Sequence, residues 1–334
     1  MNALSTSNLP RGPVSARSPI GRVAIAAAGL VMLGHAALAA SPSNGDLLTG
    51  FNAMTLHDFR STADSEGPIL VGGDLTGSAT VMNYAAVLPS SLGGFGSINV
   101  LGNTAGATYN ANNLSVKVGT ASQGATFSGA GSVTYNAAFP TPFNTMWQQI
   151  ATLSATLSLL KNTSGSSLSG SGFTAGAGTV SGVSNVAVLN LTSAQLEAIG
   201  NPTMNLGSAS LFIINVDTSG TGGNYTPAGG TNFNGQAYAG NVLWNFYNAT
   251  SIAITTEFAG TIIAPNATVT NSGPIDGGLV ASNFVGNGEL HYKPLSTAGI
   301  NLVNAASNTV PEPSSVFLLL GGIGGLARAR RRAR

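Results

Sequence analysis

The sequence predicts a mainly β protein, and two features carry that prediction. The chain contains 45 glycines and only 7% charged residues. Most of its apolar residues fall in short runs with β-branched character, separated by glycine, asparagine and serine. Successive runs begin about ten residues apart, which suits either a β-sandwich or a coil of stacked parallel strands. The sequence shows no clear repeat of fixed period that would decide between these two architectures.

The candidate strands are the runs in which apolar or β-branched residues dominate. Cysteine is absent from the chain. We therefore expect core burial and backbone hydrogen bonds, rather than disulfides, to hold the strands together. The predicted strands are residues 69–71, 79–84, 97–101, 114–118, 186–191, 211–216, 242–247, 252–257, 261–264, 268–270 and 279–281.

One segment breaks this pattern and predicts an amphipathic helix of about twenty residues. Thr141 stands at the expected N-cap, Pro142 at the first helical position, and Gly165 follows the segment. We expect the apolar stripe of this helix to pack along the β body. The stripe consists of Phe143, Met146, Trp147, Ile150, Leu153, Leu157 and Leu160, which recur at spacings of three and four.

A second, shorter helix is predicted over residues 192–199. Thr192 and Gln195 have the spacing of a capping box, in which each side chain bonds the backbone N–H of the other residue. Gly200 follows and favours termination of the helix.

The first forty residues have the pattern of a secretory signal peptide. Arg11, Arg17 and Arg22 precede an apolar core at residues 23–33. We expect signal peptidase to cut just after Ala39 or Ala40. A retained membrane anchor is the alternative, but the core is short of the roughly 20 residues that span a bilayer. The small-x-small cleavage site is formed by Ala37, Leu38 and Ala39.

The last two dozen residues have the pattern of a targeting segment rather than of part of the folded domain. Prolines cannot continue a helix from the preceding domain, and the apolar run at residues 316–326 is shorter than the roughly 20 residues of a stable span. The arginines that follow favour the cytoplasmic side, so we expect only transient membrane insertion. The alternative is a hydrophobic segment that packs on the domain. The motif is Val310, Pro311, Glu312, Pro313 and Ser314, and the basic tail contains Arg328, Arg330, Arg331, Arg332 and Arg334.

This tail resembles the PEP-CTERM sorting signal of Gram-negative bacteria, which an exosortase recognises. The resemblance implies that exosortase is a partner during export. It also implies that the protein is secreted or displayed at the cell surface through a C-terminal membrane intermediate. The predicted organisation is a signal peptide at residues 1–40, one domain at residues 41–308 and a sorting signal at residues 309–334.

Without the two sorting segments, the remaining domain is acidic. Its basic residues are Arg60, Lys117, Lys161 and Lys293, and ten acids remain when Glu312 is left out, so 4 − 10 gives a net charge of about −6. Such a surface has no electrostatic footprint for phosphate backbones, so we expect no nucleic-acid partner.

The predicted domain has little material for catalysis, and we expect that it is not an enzyme. Only His57 and His291 remain, beside Asp58 and Glu289. Glu289 and His291 are two residues apart and would share one face of a strand, which permits a structural hydrogen bond or shared metal ligation. The structural bond is the favoured interpretation. The alternative to a non-catalytic domain is a polysaccharide-degrading enzyme, which would need a carboxylate pair in a groove.

Acidic residues concentrate near the start of the domain, and a calcium site there is a weaker hypothesis. Extracellular Ca²⁺ sites use carboxylate oxygens together with backbone carbonyls. The sequence lacks an Asp-x-Asp-x-Asp-Gly loop, so we expect no cofactor other than this candidate calcium. The acids concerned are Asp58, Asp64, Glu66 and Asp74, with Asp46 upstream.

Glycine and proline motifs flank several predicted strands and indicate corners. Glycine pairs turn the chain where a Cβ would clash, and a proline after a strand removes a ladder donor. We expect structural roles for all of them. These positions are Gly72, Gly73 and Asp74, then Ala264, Pro265 and Asn266, then Asp276, Gly277 and Gly278.

Together with Glu289 and His291, these motifs resemble the choice-of-anchor A family, a group of bacterial adhesive domains. The resemblance covers about residues 48–294. It implies a right-handed β-solenoid with a long helix alongside, similar to ice-binding and adhesin domains.

The combined sequence evidence predicts non-catalytic adhesion or scaffolding in association with exopolysaccharide or biofilm. An ice-binding protein is the less favoured alternative, since Thr268 and Thr270 stand too isolated in the sequence to indicate a regular array. Exposed aromatics would supply area for stacking on sugars. The candidates are Tyr225, Phe233, Tyr238, Trp244 and Tyr247, of which Trp244 is better suited to the core.

Overall fold

Strands dominate the part of the chain that the computed structural model describes, which is residues 41–82, 88–121, 123–227, 232–233 and 236–307. The predicted signal peptide with Ala37, Ala39 and Ala40 lies outside these residues. So does the predicted sorting signal from Val310 to Ser314, with its apolar run. Within the described residues, no helix is both long and apolar enough to cross a bilayer.

The described strands are mostly short, as the spacing of the apolar runs predicts. Their bounds are β1 Ala53–Thr55, β2 Phe59–Ser61, β3 Ile69–Val71, β4 Leu75–Thr80, β5 Ile98–Val100, β6 Thr108–Asn110, β7 Ser115–Val118, β8 Thr126–Ser128, β9 Ser132–Tyr135, β10 Ser167–Ser169, β11 Gly172–Thr174, β12 Gly178–Val180, β13 Val183–Thr192, β14 Thr203–Asn205, β15 Leu211–Asp217, β16 Asn224–Tyr225, β17 Val242–Asn245, β18 Ser251–Ile254, β19 Phe258–Ala259, β20 Thr261–Asn271, β21 Ile275–Asp276, β22 Leu279–Gly286 and β23 Leu290–His291. The helices are α1 Asn44–Gly50, α2 Phe143–Ser158, α3 Ser193–Glu197 and α4 Thr297–Ser307, with short 3-10 turns at Ser90–Leu92, Ser219–Thr221 and Gln236–Asn241.

Two ladders of parallel strands run through the described residues. The first, which we call the covered ladder, has the order β13, β15, β17, β20, β22, β1, β3, β5, β7, β9. The second, which we call the open ladder, has the order β16, β18, β20, β22, β2, β4, β6, β8. Strands β20 and β22 contribute their first halves to the covered ladder and their second halves to the open ladder.

Smaller sheets complete the β structure and make it mixed. Strands β19, β21 and β23 pair in parallel on a third side. Strand β10 is antiparallel to β11, which is parallel to β14, and β12 is antiparallel to β13. Mainly parallel sheets of this kind need cover on their apolar faces.

The strand order of the covered ladder shows the path of the chain through the domain. The early strands build outward from β1 to β9, α2 then intervenes, and the late strands return from β13 to β22. Strand β1 lies between β3 and β22, so Ala53 is in register with both Ile69 and Leu279. The first described strand of the chain and the last strand of this ladder, β1 and β22, therefore pair directly.

The interior between the ladders is a continuous apolar core. Trp244, Phe233 and Phe258 contact one another with ring centroids 4.7–5.1 Å apart. The indole N–H of Trp244 donates to the Ala259 carbonyl at 2.9 Å, so its one polar atom is satisfied. Of the aromatics that the sequence suggested for sugar stacking, Tyr225, Phe233 and Trp244 are buried in this core and offer no exposed ring face.

A second apolar cluster lies between the covered ladder and helices α1, α2 and α4. The predicted apolar stripe of α2 is confirmed from Phe143 to Leu157, since all six of its residues in the helix are buried. The helix is 16 residues long rather than about twenty, and Leu160 lies beyond its end. The predicted N-cap at Thr141 is wrong: Pro142 occupies the cap, makes no side-chain bond, and accepts from the Met146 N–H through its backbone carbonyl.

Three asparagines attach the end of α2 to the covered ladder, of which Asn215 and Asn245 are buried and Asn190 is exposed. Asn245, Asn215 and Asn190 are in register on adjacent strands, and each donates its Nδ2 to a carbonyl of the α2 segment. The acceptors are Ser154 O at 2.9 Å, Leu157 O at 2.8 Å and Leu160 O at 2.9 Å. Three residues of helix advance about 4.5 Å and adjacent strands lie about 4.8 Å apart, so the two repeats match.

The same asparagines also bond to one another, and we call the row the asparagine ladder. Asn245 donates to Asn215 Oδ1 at 2.9 Å, and Asn215 donates to Asn190 Oδ1 at 2.8 Å. Ser154 Oγ donates to Asn245 Oδ1 at 2.6 Å and closes the row at one end. The ladder therefore gives carbonyls near the end of α2 an additional side-chain donor from the sheet.

Most of the predicted strands are present, with shifted ends. Residues 261–264 and 268–270 were predicted as separate strands, but they form one strand, β20. Its register against β22 shifts between Ala264 and Thr268, which accommodates Pro265. The short helix predicted at residues 192–199 is confirmed as α3, with a complete capping box between Thr192 and Gln195.

Candidate binding face

Among the described residues, no helix or further sheet covers the outward side of the open ladder, which carries mostly small polar side chains. Along β20 the alternation is regular: Ala267 and Val269 are buried, while Thr268 is half-buried and Thr270 is exposed. We call the outward surface of this ladder the open face. Its residues are Ser251, Ala253, Thr268, Thr270, Asn283, Val285, Arg60, Thr76, Ser78, Thr80, Thr108, Asn110, Thr126 and Ser128.

Register brings these side chains into rows across the strands. Ser251, Thr268 and Asn283 form one row, because Thr268 pairs with both of the others. Thr108 stands in register with Ser78 on one side and with Thr126 on the other. Neighbours in a row are about 4.8 Å apart, the spacing of paired strands. The sequence could not reveal these rows, because their members are separated by 15 to 30 residues of chain.

Buried aromatic residues hold the open face from below. Phe59 packs on Phe284 with ring centroids 4.9 Å apart, directly between adjacent strands of the open ladder. Tyr109 is 1% exposed, and its hydroxyl donates to the Thr76 carbonyl at 3.0 Å. Burial raises the pKa of Tyr109, so the phenol stays protonated and keeps donating. The backbone beneath the outward hydroxyls is therefore well supported.

The predicted corner glycines lie where the chain passes closest to itself. A Cβ on Gly72 would contact the Leu56 carbonyl oxygen and the Phe143 ring, so that corner fits directly under α2. Gly277 has φ +151°, in the region that L side chains rarely adopt, and a Cβ there would meet the Gly260 carbonyl oxygen. Gly278 has ordinary contacts by comparison.

The predicted Glu289 and His291 pair is present, and a third residue joins it. His291 Nε2 lies 2.9 Å from Glu289 Oε2, and Nδ1 lies 2.5 Å from Asp276 Oδ1. Asp276 is fully buried, whereas Glu289 is exposed. Sequence reasoning missed the contact with Asp276, because only the register of β21 with β23 places Asp276 opposite His291.

The two carboxylates control the protonation of His291. Burial lowers its pKa, but the hydrogen bonds to Glu289 and Asp276 outweigh that effect, and the net shift of the pKa is upward. The imidazolium form donates to one carboxylate on each side. Both ring nitrogens are therefore occupied within the protein, which is the arrangement of a structural link.

The acidic residues considered for calcium lie at successive corners and bond backbone N–H groups. Asp58 accepts from Asp74 N at 2.9 Å, Asp74 from Asn103 N at 2.7 Å, and Asp64 from Thr80 N at 2.8 Å. Glu66 accepts from Tyr292 N at 2.8 Å. Among the described residues, no three His, Cys, Asp or Glu side chains are grouped as metal ligands would be. The hypothesis of a calcium site therefore gains no support from the geometry.

The other histidine pair suggested by the sequence is not assembled. His57 and Asp58 are both exposed at the turn between β1 and β2. Asp58 Oδ1 accepts from the Asp74 backbone rather than from the imidazole.

Together, the parallel ladders and the open polar face define a mainly β surface domain. The model of the family described as "Putative Ice-binding-like adhesive domain" matches residues 44–292, and the chain belongs to this family. The PEP-CTERM protein-sorting motif matches residues 309–333, which implies processing by an exosortase and an exported or surface location. The matches confirm the sequence-based resemblance to an adhesive domain and to the PEP-CTERM sorting signal.

The solved structures that match this chain include one from a fungus. An ice-binding protein from the Antarctic ascomycete Antarctomyces psychrotrophicus matches with 13% identity and a TM-score of 0.37, over 73% of this chain and 95% of that one. The comparison with curated proteins found no match.

Proposed function

We propose that this protein is a non-catalytic adhesive module of the bacterial surface or matrix, and that the open face binds polysaccharide. The observation that carries the proposal is the uncovered parallel ladder with rows of hydroxyl and amide side chains. Each such group offers both donor and acceptor capacity. Many weak hydrogen bonds over a broad face give useful avidity when several copies act together.

The proposal includes the architecture of a right-handed β-solenoid. Two parallel ladders that share β20 and β22 support it, since each of these strands bends from one side of the body to the next. Connections between parallel strands of one sheet are right-handed in about 98% of cases. Export through a signal peptide and a transient C-terminal membrane helix completes the proposal.

A binding role rather than a hydrolytic one fits the distribution of carboxylates. Glycoside hydrolysis requires a pair of carboxyl groups about 5–10 Å apart, facing a substrate groove. Asp276 and Glu289 are two carboxylates beside one histidine, but both are hydrogen-bonded to His291. The open face carries Arg60 as its one ionisable side chain among the described residues, so we expect ligands recognised by hydroxyls rather than by charge.

The test is adsorption of the purified protein to insoluble cellulose and to exopolysaccharide from the native host. Thr270→Glu and Thr108→Glu place a bulky charge on the open face, and each should reduce adsorption at least several-fold. Thr152→Glu is the matched control, since Thr152 is exposed on α2. Equal adsorption of all four proteins would contradict a role for the open face. New reducing ends released from the polysaccharide would favour the enzymatic alternative.

The rows of hydroxyls also favour a second candidate function, ice binding. Thr268 and Thr270 are isolated in the sequence, but in the structure Thr268 is in register with Ser251, and Thr108 is in register with Thr126 on the same ladder. Thermal hysteresis of the purified protein distinguishes the two functions. Hysteresis lost in Thr270→Glu but kept in Thr152→Glu would establish ice binding through the open face.

A further inference from the structure

A small cleft lies on the other side of the body, where α2 ends. Its volume is about 270 Å³. Residues from α2, β13, α3, β15 and the segment after β17 line it, and the polar ones that matter here are Ser158, Asn190, Thr192, Gln195, Asp217 and Tyr247. None of these residues belongs to the open face.

The cleft follows from the register of the strands and the length of α2. The asparagine ladder lies beneath α2. The residues two positions further along the chain are Thr192 and Asp217, on β13 and β15, and Tyr247, which follows the end of β17 and hydrogen-bonds to Asp217. Thr192 is directly in register with Asp217. Because α2 ends at Ser158, these residues are left without a helix above them. The cleft is therefore a gap in the cover of the covered ladder.

The carboxylate of the cleft is held in place. Asp217 Oδ1 accepts from Asn248 Nδ2 at 2.7 Å and from Ser219 N at 2.9 Å. The bond from Asn248 is the main cause that lowers the pKa of Asp217, so the group is ionised near neutral pH. Such a fixed carboxylate is a strong acceptor for hydroxyl groups.

Neutral groups surround this carboxylate. Tyr247 is half-buried, and burial raises its pKa, so the phenol is protonated and able to donate. Gln195 Oε1 accepts from Thr192 N at 2.9 Å, which fixes the side-chain amide at the rim. Asn190 is fixed by its bonds to Leu160 O and Asn162 Oδ1. No basic side chain lines the cleft.

We propose that this cleft binds one neutral sugar residue, such as a chain end or branch of a glycan. Drug-sized ligands occupy pockets of about 300–1,000 Å³, so a cleft just below that range fits a single ring. Asp217 accepts from sugar hydroxyls, the Tyr247 ring contacts the apolar side of the sugar, and the amides fix its orientation. Asp217 disfavours acidic sugars.

Neither cation binding nor hydrolysis of a bound sugar fits the lining of the cleft. A divalent cation needs several carboxylate oxygens, and the cleft has one carboxylate. Hydrolysis needs a second carboxyl group, which the lining lacks, so the cleft binds a sugar without cleaving it.

This inference does not depend on the open face. Substitutions on the open face leave the cleft intact, and substitutions in the cleft leave the rows of hydroxyls intact. Either site can therefore fail its test while the other passes.

The experiment is saturation-transfer-difference NMR on the purified exported protein. The probes are D-glucose, D-galactose, D-mannose, N-acetyl-D-glucosamine and, as the anionic comparison, D-glucuronate. We expect saturable binding of at least one neutral sugar. Asp217→Asn and Tyr247→Ala should each weaken that binding about tenfold or more. Tyr135→Ala, on a half-buried tyrosine of β9, is the control that should leave it unchanged.

Several results would overturn the inference. These are the absence of transfer from every neutral sugar, binding that survives both cleft variants, and glucuronate binding as tightly as glucose. A thermal melt of each variant establishes that it is folded. If Asp217→Asn or Tyr247→Ala unfolds, Tyr247→Phe removes only the hydroxyl, and a sugar affinity unchanged by that variant would also count against the proposal.

Discussion

The covered ladder and the open ladder share strands but differ in what lies outside them. In the first half of β20, Ile263 points outward into the cluster beneath α2 and is fully buried. In the second half of the same strand, Thr270 points outward and is exposed. The inward residues are apolar in both halves. In the open ladder, core packing therefore determines the residue type only on the inward side of each strand, so the outward residues are free to serve binding.

The largest expected difference in stability between the two ladders comes from a substitution beneath α2. Ile263→Ala should lower the free energy of unfolding by about 2–5 kcal/mol, because it leaves a cavity between β20 and α2. Thr270→Ala, on the same strand, should change it by about 0.5 kcal/mol or less. Urea unfolding followed by tryptophan fluorescence measures both. Similar losses in the two variants would mean that the open face is packed against something.

The asparagine ladder offers the next largest effect. Asn215→Ala should lower the free energy of unfolding by about 3 kcal/mol, because it removes the bond to Leu157 O and the bonds that Asn215 makes with Asn245 and Asn190. Asn110→Ala on the open face is the matched control, since Asn110 is exposed, and it should change stability by under about 1 kcal/mol. Amide hydrogen exchange should also show faster opening at the end of α2 in Asn215→Ala alone. Unchanged protection there would contradict the role assigned to the ladder.

The sheet of β19, β21 and β23, which carries His291, should contribute stability that depends on pH. The folded-state pKa of His291 is raised, so the stability from its protonated form is fully present below its unfolded-state pKa. That stability is lost as pH rises through the raised folded-state pKa. The stability difference between the native protein and His291→Gln should therefore be largest near pH 6 and shrink toward pH 9, and melting temperatures across this range measure it.

The control for this experiment is His57→Gln at an exposed turn. A difference for His291→Gln that grows with pH would mean that His291 is bound as the neutral imidazole, against the expectation.

The smallest effect is expected at the outermost coil. Thr126 lies on β8, at the end of the open ladder, and is exposed. Thr126→Ala should change the free energy of unfolding by no more than about 0.5 kcal/mol. A calorimetric melt is sufficient, and a loss above about 1 kcal/mol would show that the end of the ladder is covered by another part of the chain.

Sequence reasoning found the strands that are buried on both sides. Residues 69–71 and 211–216 were predicted closely, because strands with cover on both faces become continuous apolar runs. It missed β6 and β8, where threonine, asparagine and serine alternate with a single aromatic residue. Three-residue strands of that composition do not differ from turns in a single sequence.

The candidate sites were less accessible to sequence reasoning than the fold. The rows of the open face and the pairing of Asp276 with His291 depend on the length of each coil, which varies along the chain. One signal was available and unused: Ser43 and Asp46 have capping-box spacing, and they do cap α1. Tyr247 was suggested for sugar contact, but its hydrogen bond to Asp217 joins residues 30 positions apart and depends on the packing of neighbouring strands.

The position of β1 inside the covered ladder has a consequence for how the chain folds. Asn52 donates to Gly277 O at 2.9 Å across 225 residues of sequence, and β1 needs β22 as a neighbour. Ribosomes make β1 early and β22 late, so one edge of β1 stays unpaired while most of the domain is synthesised. Pairings of such long sequence separation form slowly, and an exposed edge invites association with other strands. The period of greatest aggregation risk for this protein therefore ends only when β22 docks.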